Sequence, residues 1–205
     1  DKEQQEVKRL LKSSSDGKII QEGIQTVILG KPNAGKSSLL NLLLGENRAI
    51  VTDIAGTTRD ILEEYITLHG ITLKITDTAG IRETEDIVEK IGVDKAREMA
   101  QKADLILYVV DSSVPLDENY EEIMSMLGGK KAIILYNKTD LTPVIPLEEL
   151  REKTGHPVIP ISAKEETGIM ELEDKVKEMV FGVELSFNDE VYITNARHKA
   201  ALEEA

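Results

Sequence analysis

The sequence predicts an α/β fold: a doubly wound, mostly parallel six-stranded sheet with one antiparallel hairpin edge. Three observations carry this expectation. From Ile24 onward, short apolar runs alternate with longer amphipathic stretches, the order expected of strands and helices taken in turn. Two strand-like runs, Ile61–Leu68 and Ile71–Thr76, are separated only by His69-Gly70, which is a hairpin signature. A glycine-bearing loop, Gly30 to Ser37, joins the first strand pattern to the first helical one.

Taken in order, the strands are expected at Thr26–Leu29, Ile61–Leu68, Ile71–Thr76, Leu105–Val110, Lys131–Tyr136 and Val158–Pro160. Helices are expected at Ser37–Leu44, Val93–Gln101, Asn119–Leu127 and Met170–Met179. Right-handed crossovers then place helices on both faces of the sheet. Before this unit, Glu6–Leu11 reads as the end of a helix, broken by the turn formers Ser13–Gly17. After it, Asn195–Ala205 reads as a fresh helix rich in Ala, Glu and Leu. The domain expectation is therefore residues 1–16 as the tail of a preceding helical domain, 17–182 as the α/β domain, and 183–205 as a linker and the start of a returning helical domain.

Composition narrows the class. The 205 residues suffice for one ordinary domain with a substantial core, and hydrophobic and charged contents of 40% and 31% are those of a soluble globular protein. No run approaches the roughly 18 apolar residues of a membrane span, and the N-terminus, Asp1-Lys2-Glu3-Gln4-Gln5-Glu6, lacks a basic-then-apolar signal. The absence of cysteine excludes disulfides and thiolate metal sites and fits a cytoplasmic location. Twenty-five basic against thirty-eight acidic residues give a net charge of −13, which opposes non-specific attraction to nucleic-acid phosphates. The tyrosines lack basic surroundings and read as packing residues, and His69, His156 and His198 do not make a metal-ligand pattern.

The chemistry begins at Gly30-Lys31-Pro32-Asn33-Ala34-Gly35-Lys36-Ser37, which matches the phosphate-loop pattern G-x-x-x-x-G-K-[ST] in the required strand-to-helix context. The glycines let backbone N–H groups of Asn33, Ala34, Gly35, Lys36, Ser37 and Ser38 curl around phosphate oxygens at a helix N-terminus. Lys36 would reach the outer phosphates and Ser37 would ligate magnesium. Asn137-Lys138-Thr139-Asp140, directly after a strand, matches the N-K-x-D element that reads guanine. The Asp140 carboxylate can accept from both the ring N–H and the exocyclic amine of guanine, whereas adenine cannot supply both donors. Lys138 would lay its stem along the base plane, and Asn137 would tie this loop back to the phosphate loop. Ser162-Ala163-Lys164 matches the last base-contacting loop.

Two further segments complete the pattern. Asp77-Thr78-Ala79-Gly80 matches D-x-x-G, in which Asp77 would hold magnesium through water and Gly80 would meet the γ-phosphate. Gly56-Thr57-Thr58-Arg59-Asp60 occupies the place of the first switch, with Thr58 closing magnesium coordination. Both loops would lose their phosphate contact on hydrolysis and so convert nucleotide state into shape. The position after Gly80, where many regulatory GTPases carry a water-orienting glutamine, is Ile81, so the attacking water needs another partner.

These residues make the chain a P-loop GTPase by pattern, and it resembles more closely the GTPase domain of the MnmE (TrmE) tRNA-modification family. The resemblance rests on Gly30–Asn41, Ala49–Asp60, Asp77–Arg82, Asp86–Gly92 and the tail Ile193–His198. It implies a potassium ion, held by Asn33, Thr52, Ile54 and Thr57, that supplies the charge an arginine finger supplies elsewhere, a contribution of about 10³ to 10⁵ in rate. Neutral oxygen donors suit such a cation. The resemblance implies a nucleotide-embracing first switch, Thr52, Asp53, Ile54, Ala55, Gly56, Thr57 and Thr58, and a catalytic set of Glu89, Lys36, Thr58 and Gly80, with Glu89 positioning water. It further implies GTP-dependent homodimerisation with Arg82 near the interface, and service with the flavoprotein MnmG in wobble-uridine tRNA modification. Relative to the full-length family pattern, an N-terminal folate-binding domain, most of the helical domain and a C-terminal cysteine motif are lacking, so contact with tRNA would be indirect. Two alternatives stay open: an Era- or Der-like GTPase of ribosome assembly, and a nucleotide-gated dimerisation module.

Overall fold

A computed structural model describes residues 23–47, 63–76, 89–116 and 120–181. Six strands, β1 (Ile24–Gly30), β2 (Glu64–Leu68), β3 (Ile71–Ile75), β4 (Leu105–Asp111), β5 (Ala132–Asn137) and β6 (Val158–Pro160), form one sheet in the order β2-β3-β1-β4-β5-β6. The helices are α1 (Lys36–Asn47), α2 (Glu89–Lys102), α3 (Tyr120–Leu127), α4 (Leu147–Thr154) and α5 (Ile169–Phe181). The predicted doubly wound sheet is borne out: β2 and β3 pair antiparallel through His69-Gly70, and β1, β3, β4, β5 and β6 pair in parallel.

Alternation along the strands divides the interior into two layers. On β4, Leu105, Leu107 and Val109 face the cluster beneath α1 and α5, where Leu39, Leu40, Leu43, Leu172 and Val176 are buried. Ile106, Tyr108 and Val110 face the opposite layer with Ala100 of α2, Leu127 of α3 and Leu150 of α4. Because β4 and β5 are covered on both sides, they read as continuous apolar runs, Leu-Ile-Leu-Tyr-Val-Val and Ala-Ile-Ile-Leu-Tyr, rather than alternating ones.

The structure adds one helix that the periodicity did not suggest. In α4 only Leu150 is buried, which leaves too small an apolar stripe to register. Its boundaries are nevertheless written in the chain: Pro146 before it, Glu148 and Glu149 in its first turn, Arg151 and Lys153 in its last, and Gly155 at φ 64° as the left-handed stop. The remaining differences are at element ends; β1 starts at Ile24 and α2 extends from Glu89 to Lys102.

The connection after β1 runs toward β3, while that after β4 runs toward β5, so the chain diverges at the carboxyl ends of two adjacent strands. Such a divergence opens a crevice in doubly wound sheets, and the loops after β1, β4, β5 and β6 all rim it.

Candidate functional site

The loop after β1 is shaped by backbone conformations that side chains resist. Gly30 has φ 153°, and a Cβ there would lie 2.5 Å from the Val109 carbonyl oxygen on β4. Gly35 has φ 103°, and a Cβ there would collide with the Asn137 side-chain amide. Between them Asn33 adopts φ 60°, a left-handed value that asparagine tolerates better than most residues. Gly35 immediately precedes α1, its carbonyl accepting from Leu39 N–H at 2.9 Å, while Leu39 and Leu40 are fully buried beneath the sheet. The first turn of α1 thus opens at the rim on a rigid base, and a helix start is a favourable place for an anion.

Lys36 folds its ammonium back over the loop, donating to the carbonyls of Gly30 at 2.8 Å and Lys31 at 2.5 Å. Burial lowers its pKa, as expected of a cation partly stripped of water. A desolvated cation beside helix-start N–H groups is a strong anchor for an anionic oxygen.

Asn137, buried at the end of β5, ties three loops together. Its Nδ2 donates to Ala34 O at 2.8 Å in the phosphate loop, and its Oδ1 accepts from Ala163 N–H at 3.1 Å in the loop after β6. The expected tie between base loop and phosphate loop is present in this bond. Asp140 is oriented by Ser162, whose Oγ donates to Asp140 Oδ1 at 2.7 Å and accepts from Glu165 N–H at 3.1 Å. The Ser162 bond holds the Asp140 carboxyl below the usual carboxylate range. The backbone of Thr139 donates to Ile161 O at 3.2 Å, and Ser162 and Thr167 exchange backbone bonds that close the last loop. Lys164 is exposed, with its ammonium 3.9 Å from Asp140 and 3.6 Å from Glu165.

One group was not anticipated from the sequence. Asp111-Ser112-Ser113, running from the last residue of β4 into the following turn, buttresses the base loop: Lys138 Nζ pairs with Asp111 Oδ2 at 2.5 Å, and Ser112 Oγ donates to Lys138 O at 3.3 Å. Burial alone would raise the Asp111 pKa, but the bonds from Lys138 and Ser113 outweigh it and the net shift is downward. A cavity of about 170 Å³ lies between this turn and the back of the phosphate loop, lined among others by Lys31, Asn33, Tyr108, Asp111 and Tyr120.

The structure therefore brings together Asn33, Ala34, Gly35, Lys36, Ser37 and Ser38 with Asn137, Lys138, Asp140, Ser162, Ala163 and Lys164 at the carboxyl end of the sheet. Thr52, Asp53, Ile54, Ala55, Gly56, Thr57 and Thr58, and Asp77, Thr78, Ala79 and Gly80, lie outside the described residues, as does Arg82. Glu89 is the first residue of α2. Among the described residues no helix is long and apolar enough to cross a membrane.

Comparison with known proteins settles the class of the chain. Residues 25–138 match the family described as 50S ribosome-binding GTPase. The chain belongs to this GTPase family. The expected GTP hydrolase class is borne out with it. The chain is 55% identical over 200 residues to the tRNA modification GTPase MnmE of Lachnoclostridium phytofermentans, covering 98% of this chain and 44% of that protein. To the MnmE of Clostridioides difficile it is 51% identical over 206 residues, covering 100% and 45%. The chain thus spans a little under half the length of these relatives, and the expected resemblance to the MnmE GTPase domain holds across nearly all of it. Among solved structures, Aquifex aeolicus Era bound to GDP and AlF4⁻ is similar at 27% identity with a TM-score of 0.56, over 76% of this chain and 56% of that one. The G domain of the T. maritima FeoB iron transporter is similar at 26% identity with a TM-score of 0.55, over 76% and 98%.

Proposed function

We propose that this chain is the potassium-activated GTPase domain of a tRNA modification GTPase, dimerising on GTP binding and hydrolysing GTP to GDP and phosphate in the service of 5-carboxymethylaminomethyl-type wobble-uridine modification with the flavoprotein MnmG. The observation that carries this reading is the 55% identity to an MnmE over 98% of the chain, which exceeds the 27% to Era and favours tRNA modification over ribosome assembly.

In this proposal the phosphate loop from Asn33 to Ser38 wraps the β- and γ-phosphates, and Lys36 exchanges its two carbonyl partners for phosphate oxygens. Ser37 is an exposed residue at the start of α1, and its hydroxyl is a hard neutral oxygen suited to magnesium, with Thr58 as the second protein ligand and Asp77 acting through water. Magnesium when bound neutralises charge on the phosphates. Asn33 stands exposed on the rim at φ 60°, and its amide oxygen fits a potassium ligand, joined by Thr52, Ile54 and Thr57. Potassium when bound supplies positive charge near the β- and γ-phosphates. Thr58 and Gly80 line the γ-phosphate, Glu89 positions the attacking water, and Asn137, Lys138, Asp140 and Ser162 to Lys164 hold guanine. The location is cytoplasmic, and tRNA contact belongs to the longer protein.

Hydrolysis in potassium chloride against sodium chloride at equal ionic strength tests the cation reading, because screening is then the same. Faster turnover in potassium, lost on Asn33→Ala, is expected; equal rates in both salts would remove the potassium site. Glu89→Ala is expected to abolish turnover while dimers still form with a non-hydrolysable GTP analogue.

A further inference from the structure

We infer that Asp111, which belongs to none of the recognised nucleotide motifs, is a positioning residue for guanine-nucleotide binding, acting through Lys138. The inference rests on the proposed role of Lys138 against the base plane. Lys138 adopts φ 64°, a conformation costly for a residue with a long side chain, and it persists only because its surroundings impose it. They do so at both ends. The Lys138 carbonyl accepts from Leu141 N–H at 2.9 Å and from Ser112 Oγ at 3.3 Å, and the ammonium is held by Asp111 Oδ2 at 2.5 Å.

Asp111 can impose a direction because it is itself immobilised. Its Oδ1 accepts from Ser113 N–H at 2.9 Å and Ser113 Oγ at 2.6 Å, leaving Oδ2 for the lysine. Its side chain is 12% exposed and that of Lys138 29%, so the pair is shielded from water well beyond an ordinary surface salt bridge. The parallel register sets Asp111 directly beside Asn137, one residue before Lys138, which fixes the separation through two backbones rather than two flexible stems. Without Asp111 the four-carbon stem of Lys138 would sample many rotamers, and binding would have to order it.

The test is a double-mutant cycle on the 205-residue chain, using Asp111→Ala, Lys138→Ala and both together, read by GDP affinity in a fluorescent-nucleotide titration. Asp111→Ala is expected to weaken GDP about tenfold, the lower end for a charge-assisted bond. Lys138→Ala is expected to weaken it at least as much, and the double variant no further. The loss should appear in KM for GTP and not in kcat, which general loosening of the fold would not produce. Should Asp111→Ala not fold, Asp111→Asn retains the acceptor for Ser113 and reports the loss of charge alone. Additive losses in the double variant, or wild-type affinity in Asp111→Ala beside a weakened Lys138→Ala, would overturn the coupling. Wild-type affinity in Lys138→Ala would instead overturn the base-plane reading on which it rests.

Discussion

Asn137→Ala removes one side chain and strands two buried backbone groups. Asn137, Ala34 and Ala163 are 2%, 2% and 9% exposed, so the Ala34 carbonyl and the Ala163 N–H have little access to replacement water. Their bonds to the amide, 2.8 and 3.1 Å, are well within hydrogen-bond range. A buried polar group left unpaired costs about 1–3 kcal/mol, so the pair together costs about 2–6 kcal/mol. At about 2–4 °C per kcal/mol for a domain of this size, the melting midpoint should fall by at least roughly 4 °C. Differential scanning calorimetry without nucleotide measures this directly, free of the stabilisation that ligand adds. A second substitution separates the two bonds. Asn137→Asp keeps an acceptor for Ala163 N–H but sets an oxygen against the Ala34 carbonyl, so it should disturb the phosphate loop more than the loop after β6. A midpoint for Asn137→Ala within about 1 °C of the parent chain would refute the reasoning, because it would mean that both groups find other partners and that Asn137 braces nothing.

Gly35→Ala places a Cβ into the Asn137 amide at φ 103°, and GDP affinity measured by titration should fall at least about tenfold. Asp140→Asn presents an amide donor in place of a carboxylate oxygen, so competition binding should show guanine nucleotides weakened and xanthine nucleotides, which carry a carbonyl at that edge, gained. The net shift of Asp111 is below its ordinary 3.8, so its contribution to stability is complete above pH 3.8 and is lost as pH falls through the lower folded value; urea midpoints of Asp111→Asn should therefore decline less steeply on the acid side than those of the parent. Leu107→Ala, in the fully buried middle of β4, should cost about 2–5 kcal/mol in the same assay.

What could be read from the sequence follows from how local each constraint is. The phosphate loop was legible because Gly30, Gly35, Lys36 and Ser37 answer to one short backbone path, and the structure meets it with φ values of 153° and 103° at the two glycines. Asn137 was legible for the same reason, and its bond to Ala34 spans 103 residues yet is announced by the tetrapeptide that begins with it. Helix α4 was not, since with only Leu150 buried its stability comes from end effects rather than an apolar face. Asp111 was hidden more deeply. Asp-Ser-Ser after a strand reads as an ordinary turn, and nothing in that tripeptide names lysine 27 positions later as its partner. Only the parallel register of β4 on β5, Asp111 opposite Asn137, makes the two loops neighbours. A residue that acts by holding a motif residue therefore leaves its mark in strand order rather than in sequence, and the carboxyl ends of the strands flanking a recognised motif are the place to look for others of its kind.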